Sequence, residues 1–200
     1  MCINKKISVS ILILLGILII LPKSAVFAQE NSDLQTLVKG NNAFALDLYA
    51  QLKTQEGNLF LSPYSISTAL AMTFAGAREN TEKQMADVLH FTLEQEQLHS
   101  EFSALETQLK NCVKEGIELN IANALWLQIG ENFFEDFLQL TKTNYDAGFH
   151  NVDFWRHLEA ARIEINAWVE LKTKHKIKEL IKPGILTRWT VLVLTNAIYF

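Results

Sequence analysis

The last ten residues, Val-Leu-Val-Leu-Thr-Asn-Ala-Ile-Tyr-Phe at positions 191–200, decide which fold the chain can form. Apart from Thr195 and Asn196, every side chain in this stretch is apolar. The pattern predicts a β-strand that is apolar on both faces, as the central strands of covered sheets are. A strand of this kind needs a hydrogen-bonded neighbour on each side and packed groups above and below it.

Nearer the start of the chain, apolar residues recur at helical spacing from Leu34 to Leu52 and predict a long amphipathic helix. The short apolar run at 59–61 then predicts a brief buried strand. Ser62 and Pro63 are typical of the N-cap and the first turn of a helix. The segment 63–77 carries no charge, which predicts a second helix that is buried.

The middle of the chain alternates between helical and extended patterns. Residues 117–128 place large aliphatic side chains at the odd positions, with Asn123 as the exception, and predict a long strand with one strongly apolar face. A shorter strand is predicted at 149–154. Apolar periodicity predicts further helices that begin near Asn80, Leu98, Phe133 and Leu158, the last of them ending in the basic stretch 172–178.

Composition narrows the class of protein. The 200 residues are 49% hydrophobic and 20% charged, which is enough apolar material for one sizeable core and excludes disorder as the default. The formal net charge is −4, and this acidic balance argues against a nucleic acid or an anionic membrane as the main partner.

The first 28 residues have the layout of a secretory signal peptide: Lys5 and Lys6, an apolar run at 11–21, and the small-residue end Val26-Phe27-Ala28. Eleven apolar residues span only about 16 Å as a helix, which is short for a membrane span. We therefore expect a secreted, extracellular protein whose mature chain is 29–200, with an uncleaved membrane anchor as the alternative. Cleavage would leave 15 basic and 22 acidic residues, a net charge of −7, and Cys112 as the single cysteine.

The sequence offers no catalytic constellation. It has no glycine-rich phosphate loop, no G-x-S-x-G turn and no H-E-x-x-H pair. His157 and Glu159 match H-x-E, but no C-x-x-C follows, and the five histidines are expected to be exposed or capping. We therefore expect no catalytic residue, no metal site and no cofactor, and a protein that is not an enzyme.

One polar cluster stands apart from this background. Ser62 and Ser65 flank the start of the buried second helix, and Asn196 interrupts the final apolar strand. Polar groups in places where burial is expected must find partners or cost about 1–3 kcal/mol each. From the residues alone, Ser62 could be an ordinary N-cap and Asn196 a turn residue at the strand end.

Five motifs that occur in order along residues 34–200 resemble the serpin family. The first is Asn58-Leu59-Phe60-Leu61-Ser62-Pro63-Tyr64-Ser65-Ile66, which resembles the strand and buried helix B at the centre of that fold. The others resemble strands of the family's sheet A and its helix F: Asn123-Ala124-Leu125-Trp126, Val152-Asp153-Phe154, Ile165-Asn166-Ala167-Trp168-Val169 and Leu194-Thr195-Asn196-Ala197-Ile198-Tyr199-Phe200.

The resemblance implies an α+β fold in which helices pack on a large mixed sheet A, here truncated after the third strand of that sheet. Residues 29–200 would be the N-terminal part of a single, incomplete domain. Serpins are suicide substrates: a protease cleaves an exposed reactive loop, which inserts into sheet A while the acyl-enzyme is still attached. The resemblance implies that the reactive loop is absent from this chain.

The resemblance also assigns roles. Ser62, Ser65 and Asn196 fall on positions of the serpin shutter, where polar hydrogen bonds control the opening of sheet A. Asn166 and Trp168 lie on the helix that must give way during insertion. The segment corresponding to helix D is acidic, so no heparin-type site is expected there.

The implied partner is a target serine protease, or a cysteine protease, and the full-length protein is expected to be a monomer that binds no nucleic acid. A second hypothesis stays open: a non-inhibitory serpin remnant or an interaction module with no protease inhibition.

Overall fold

The computed structural model describes residues 23–199, so most of the predicted signal peptide lies outside the described residues. The described part contains six helices and three strands. The helices are α1 (Lys23–Leu52), α2 (Pro63–Phe74), α3 (Glu79–Leu89), α4 (Gln95–Asn111), α5 (Glu135–Tyr145) and α6 (Leu158–Lys172). The strands are β1 (Asn120–Gln128), β2 (Gly148–Val152) and β3 (Leu192–Tyr199).

The three strands form one mixed sheet in the order β2-β1-β3. β1 runs parallel to β2, from the pair Ala124–Gly148 to the pair Gln128–Val152. It runs antiparallel to β3, with Asn123 opposite Asn196. The predicted α+β class with a mixed sheet is confirmed.

Both faces of the sheet are covered, which corrects the prediction that β1 has one apolar face. Leu125 and Leu127 point into the larger core, which α1 to α5 enclose. Ala124 and Trp126 point the other way, into a smaller core that α6 covers, and both are fully buried. Ala124 and Trp126, at the even positions, form this second apolar face. The sequence prediction considered only the large aliphatic side chains at the odd positions and therefore did not include it.

Helix α2 begins as predicted. The hydroxyl of Ser62 accepts a hydrogen bond from the backbone N–H of Ser65 at 3.3 Å, and Pro63 occupies the first turn. Its C-terminal half is buried at Ala71, Met72 and Phe74. The helix ends at Phe74 rather than at residue 77.

The brief strand predicted at 59–61 is wrong for the described chain. No described strand pairs with these residues, and the side chain of Phe60 is 92% exposed. A strand forms only where another strand supplies its hydrogen-bond partners. For the same reason β3 meets the prediction only in part: within residues 23–199 it pairs with β1 along one edge.

The chain between α6 and β3 is held against α6 by a buried asparagine. The side chain of Asn166 donates a hydrogen bond to the carbonyl of Ile181 and accepts one from its N–H, both at 2.8 Å. Arg162 donates a third hydrogen bond to the same carbonyl at 2.8 Å. This contact fixes the path of the chain towards β3.

Replacement of Asn166 by Ala should lower the free energy of unfolding by about 1–3 kcal/mol, because the N–H of Ile181 loses its partner. Chemical denaturation measures the change, and hydrogen exchange at Ile181 should become faster. Asn151→Ala, at an exposed position of β2, is the control and should change the free energy by about 0.5 kcal/mol or less. Equal effects of the two variants would contradict the anchoring role.

Candidate functional site beneath strand β3

The structure brings the three predicted polar residues together. Ser65, in the first turn of α2, donates a hydrogen bond from its hydroxyl to the side-chain oxygen of Asn196 on β3. Ser62 does not reach Asn196 directly; its hydroxyl caps α2 through the N–H of Ser65. Ser62 therefore positions the residue that holds the strand.

Asn196 uses its second polar atom as well. Its side-chain nitrogen donates to the side-chain oxygen of Asn123, directly opposite on β1, at 2.7 Å. Asn123 in turn donates to the backbone carbonyl of Tyr145 at 2.8 Å and is buried. Sequence reasoning missed Asn123 as a site residue, although its break in the apolar alternation of β1 was the available signal.

The hydrogen-bonded chain continues to a buried histidine. The hydroxyl of Tyr145 and Nδ1 of His99, on α4, are hydrogen bonded at 2.5 Å. The ring of His99 is 1% exposed, and its Nε2 has no partner among the described residues. The expectation that every histidine is exposed or capping is wrong here, because α4 turns this side chain into the larger core.

Burial sets the charge state of this pair. It lowers the pKa of His99 from 6.5 to about 4, because the core solvates the imidazolium poorly. It also raises the pKa of Tyr145 well above its usual value. At neutral pH both groups are uncharged, so the link between α4 and α5 is a neutral hydrogen bond.

A second polar contact joins β3 to β1 on the opposite face of the sheet. The indole N–H of Trp126 donates to the hydroxyl of Thr195 at 3.1 Å, and both residues are buried. Trp126 also stacks on the ring of His150 at 4.2 Å and meets Trp168 of α6 edge-on at 6.0 Å. Neighbouring residues of β3 therefore hold β1 from both sides.

The members of this cluster are hydroxyl, amide and imidazole groups, and all of them are uncharged at neutral pH. Among residues 23–199, no cluster of three or more histidine, cysteine, aspartate or glutamate side chains could hold a metal ion. The same residues include no helix with the length and apolarity to cross a membrane.

Comparison with known proteins defines the class of protein to which this fold belongs. Residues 39–200 match the Serpin (serine protease inhibitor) family. The chain belongs to the serpin family.

Among its relatives, the leukocyte elastase inhibitor of Sus scrofa is 43% identical over 169 residues, which cover 84% of this chain and 44% of that protein. The human leukocyte elastase inhibitor is 41% identical over 171 residues, with the same coverage. The chain thus spans less than half the length of these relatives.

Solved structures agree with this assignment. Ovalbumin from emu superposes with a TM-score of 0.76 at 29% identity, covering 82% of this chain and 46% of ovalbumin. Cleaved kallistatin complexed with heparin gives a TM-score of 0.75 at 28% identity, covering 82% of this chain and 49% of kallistatin.

The contact between Ser65 and Asn196 should appear as a coupling energy. Ser65→Ala and Asn196→Ala should each lower the free energy of unfolding by about 1–3 kcal/mol, and the double variant should show a coupling of about 0.5–3 kcal/mol. Chemical denaturation of the four proteins measures it. Ser65→Ala combined with Asn166→Ala is the matched control and should be additive to within about 0.5 kcal/mol; additivity of the Ser65 and Asn196 variants would contradict the contact.

His99 should make stability depend on pH. Its pKa is lower in the folded protein than in the unfolded chain, so protons bind preferentially to the unfolded chain. The free energy of unfolding should fall from about pH 6.5 down to pH 4, by up to about 3 kcal/mol.

Denaturation at a series of pH values tests this dependence. His99→Gln should flatten the slope over that interval, whereas His157→Gln, at an exposed position, should leave it unchanged. A slope that survives in His99→Gln would assign the titration to another group.

Proposed function

We propose that this chain is the N-terminal part of an inhibitory serpin that traps a serine protease by inserting a cleaved reactive loop into the sheet containing β3. In this proposal Ser62, Ser65 and Asn196 form the shutter that controls the opening of the sheet. One observation carries the proposal: the side chain of Asn196 joins β3 to both α2 and β1. Movement of β3 away from α2 must break the hydrogen bond from Ser65.

The edge of β3 supports the insertion step. In the described part of the chain β3 is paired with β1 alone, and its other edge carries the backbone groups with which an added strand would pair. An inserted loop gains a full ladder of hydrogen bonds. The polar contacts beneath β3 oppose that gain until a cleaved loop is available.

The covering helix α6 also supports the insertion step. Trp168 contacts Trp126 through a ring edge, and the smaller core under α6 buries fewer large side chains than the core on the other face. Asn166 anchors the connection that follows the helix. We infer that α6 shifts during insertion while the larger core stays packed.

We also propose that the protein is secreted. Residues 1–28 would be removed as a signal peptide, and residues 29–200 would begin the mature domain. The coverage of the relatives, 44%, supports a longer parent protein that supplies the reactive loop. The name of these relatives, leukocyte elastase inhibitor, makes elastase the first protease to test.

The test uses the protein expressed from the extended reading frame. Incubated with elastase, it should form a complex that survives denaturing electrophoresis, because the acyl ester is trapped before hydrolysis. Elastase with its active-site serine blocked is the control and should form none. Cleavage of the serpin without a stable complex, for elastase and for a panel of serine and cysteine proteases, would favour the non-inhibitory alternative.

The shutter assignment has its own test in that protein. Asn196→Ala and Ser65→Ala should speed the formation of heat-induced polymers several-fold, because β3 is held less firmly and the sheet opens more often. Native electrophoresis after incubation at a fixed temperature measures the rate. Asn111→Ala, at an exposed site at the end of α4, is the control; equal rates in all three variants would contradict the shutter role.

A further inference from the structure

Two turns meet at the end of the sheet where β1 stops. One follows β2 and carries Trp155 and Arg156, and the other precedes β3 and carries Arg188 and Trp189. These four side chains line a cavity of about 380 Å³. We call it the Trp–Arg pocket.

The end of β1 places the two turns side by side. The N–H of Gln128 donates to the carbonyl of Val191 at 2.9 Å, and the N–H of Ile129 donates to the carbonyl of Val152 at 2.9 Å. Each turn is thus flanked by a residue that is hydrogen bonded to the chain at 128–129, where β1 ends. These two hydrogen bonds fix the distance between the two turns.

Each turn is also fixed internally. The carboxylate of Asp153 accepts hydrogen bonds from the N–H groups of Trp155 and Arg156 at 3.1 and 3.0 Å. In the other turn, the N–H of Thr187 donates to the hydroxyl of Thr190 at 3.1 Å, and the N–H of Thr190 donates to the carbonyl of Thr187 at 2.9 Å. A ligand would therefore meet a backbone that is already ordered, which reduces the entropic cost of binding.

Packing among residues 23–199 does not account for the side chains on these turns. Trp189 is 76% exposed and Trp155 is 50% exposed, although large aromatic side chains gain most from burial. The guanidinium of Arg188 lies 4.9 Å from the centre of the Trp189 ring. Neither Arg156 nor Arg188 makes an ion pair with an acidic side chain in residues 23–199, even though residues 29–200 are acidic overall.

We propose that the Trp–Arg pocket binds a small anion that carries a planar ring. The ring stacks on an indole, and a carboxylate or phosphate group lies between the two guanidinium groups, which match the geometry of either anion. The cavity volume falls within the usual range for small-molecule sites, about 300–1,000 Å³. An extended polyanion fits poorly, because it would need a broad basic surface and this chain is acidic.

Nuclear magnetic resonance of the ¹⁵N-labelled protein expressed from the extended reading frame tests the proposal through the indole N–H signals. Adenosine monophosphate and 2-naphthoate supply a ring with a phosphate or a carboxylate. Adenosine, inorganic phosphate and acetate each lack one of the two parts. Signals of Trp155 and Trp189 should shift saturably with a complete probe, whereas those of Trp126 on β1 and Trp168 on α6, which contact each other, should stay in place.

The incomplete probes should bind at least about tenfold more weakly than the complete ones, as expected when one strong contact is lost. Arg156→Gln combined with Arg188→Gln should weaken the complete probes by about tenfold or more. Lys178→Gln combined with Lys182→Gln removes the same charge from exposed sites nearby and should leave binding unchanged.

Binding of adenosine monophosphate alone would assign a phosphate ligand, and binding of 2-naphthoate alone a carboxylate ligand; both support the proposal. Equal binding of adenosine and its monophosphate, or full binding by the double arginine variant, would overturn it. The absence of a saturable shift with every probe would overturn it as well.

Discussion

The position of β3 depends on one side-chain amide. The oxygen of Asn196 accepts a hydrogen bond from Ser65 of α2, and its nitrogen donates to Asn123 of β1. An amide without partners in such a place costs about 1–3 kcal/mol. A slip of β3 by one residue would turn Asn196 towards α6 and Thr195 towards α2, because neighbouring side chains of a strand point to opposite faces. These two hydrogen bonds, together with the one from Trp126 to Thr195 on the other face, thus favour one register for a strand that is otherwise almost entirely apolar.

The two faces of the sheet are built differently around this strand. On the α2 side, the larger core continues through Phe102, Leu125 and Tyr145 and includes parts of five helices. On the α6 side, the smaller core depends on Trp126, Phe154 and Ile165 and on one covering helix. The proposed insertion mechanism needs this difference between the two cores, because α6 must move while the helices on the α2 side hold the sheet in place.

Much of this arrangement could be predicted from local patterns. The helical spacing from Leu34 to Leu52, the cap at Ser62 and the apolar strand near the end of the chain are properties of neighbouring residues, and the structure has all three. The burial of His99 and the second buried face of β1 could not be predicted in this way, and the break at Asn123 in the apolar alternation of β1 does not show which residue Asn123 contacts. Their surroundings come from residues distant in the chain: Asn196 reaches Asn123 across 73 positions, and Tyr145 reaches His99 across 46. The strand prediction for residues 59–61 was wrong for the same reason, because a strand forms only where a distant segment supplies its hydrogen-bond partners.

The hydrogen bond between Ser65 and Asn196 spans 131 positions of sequence. Ribosomes add about 5–20 residues per second, so helix α2 leaves the ribosome roughly 7–26 seconds before the strand that it holds. During that interval, the end of the helix that receives β3 offers water a hydroxyl group, which water solvates well. The residue that holds the finished sheet is therefore solvated while the sheet is incomplete.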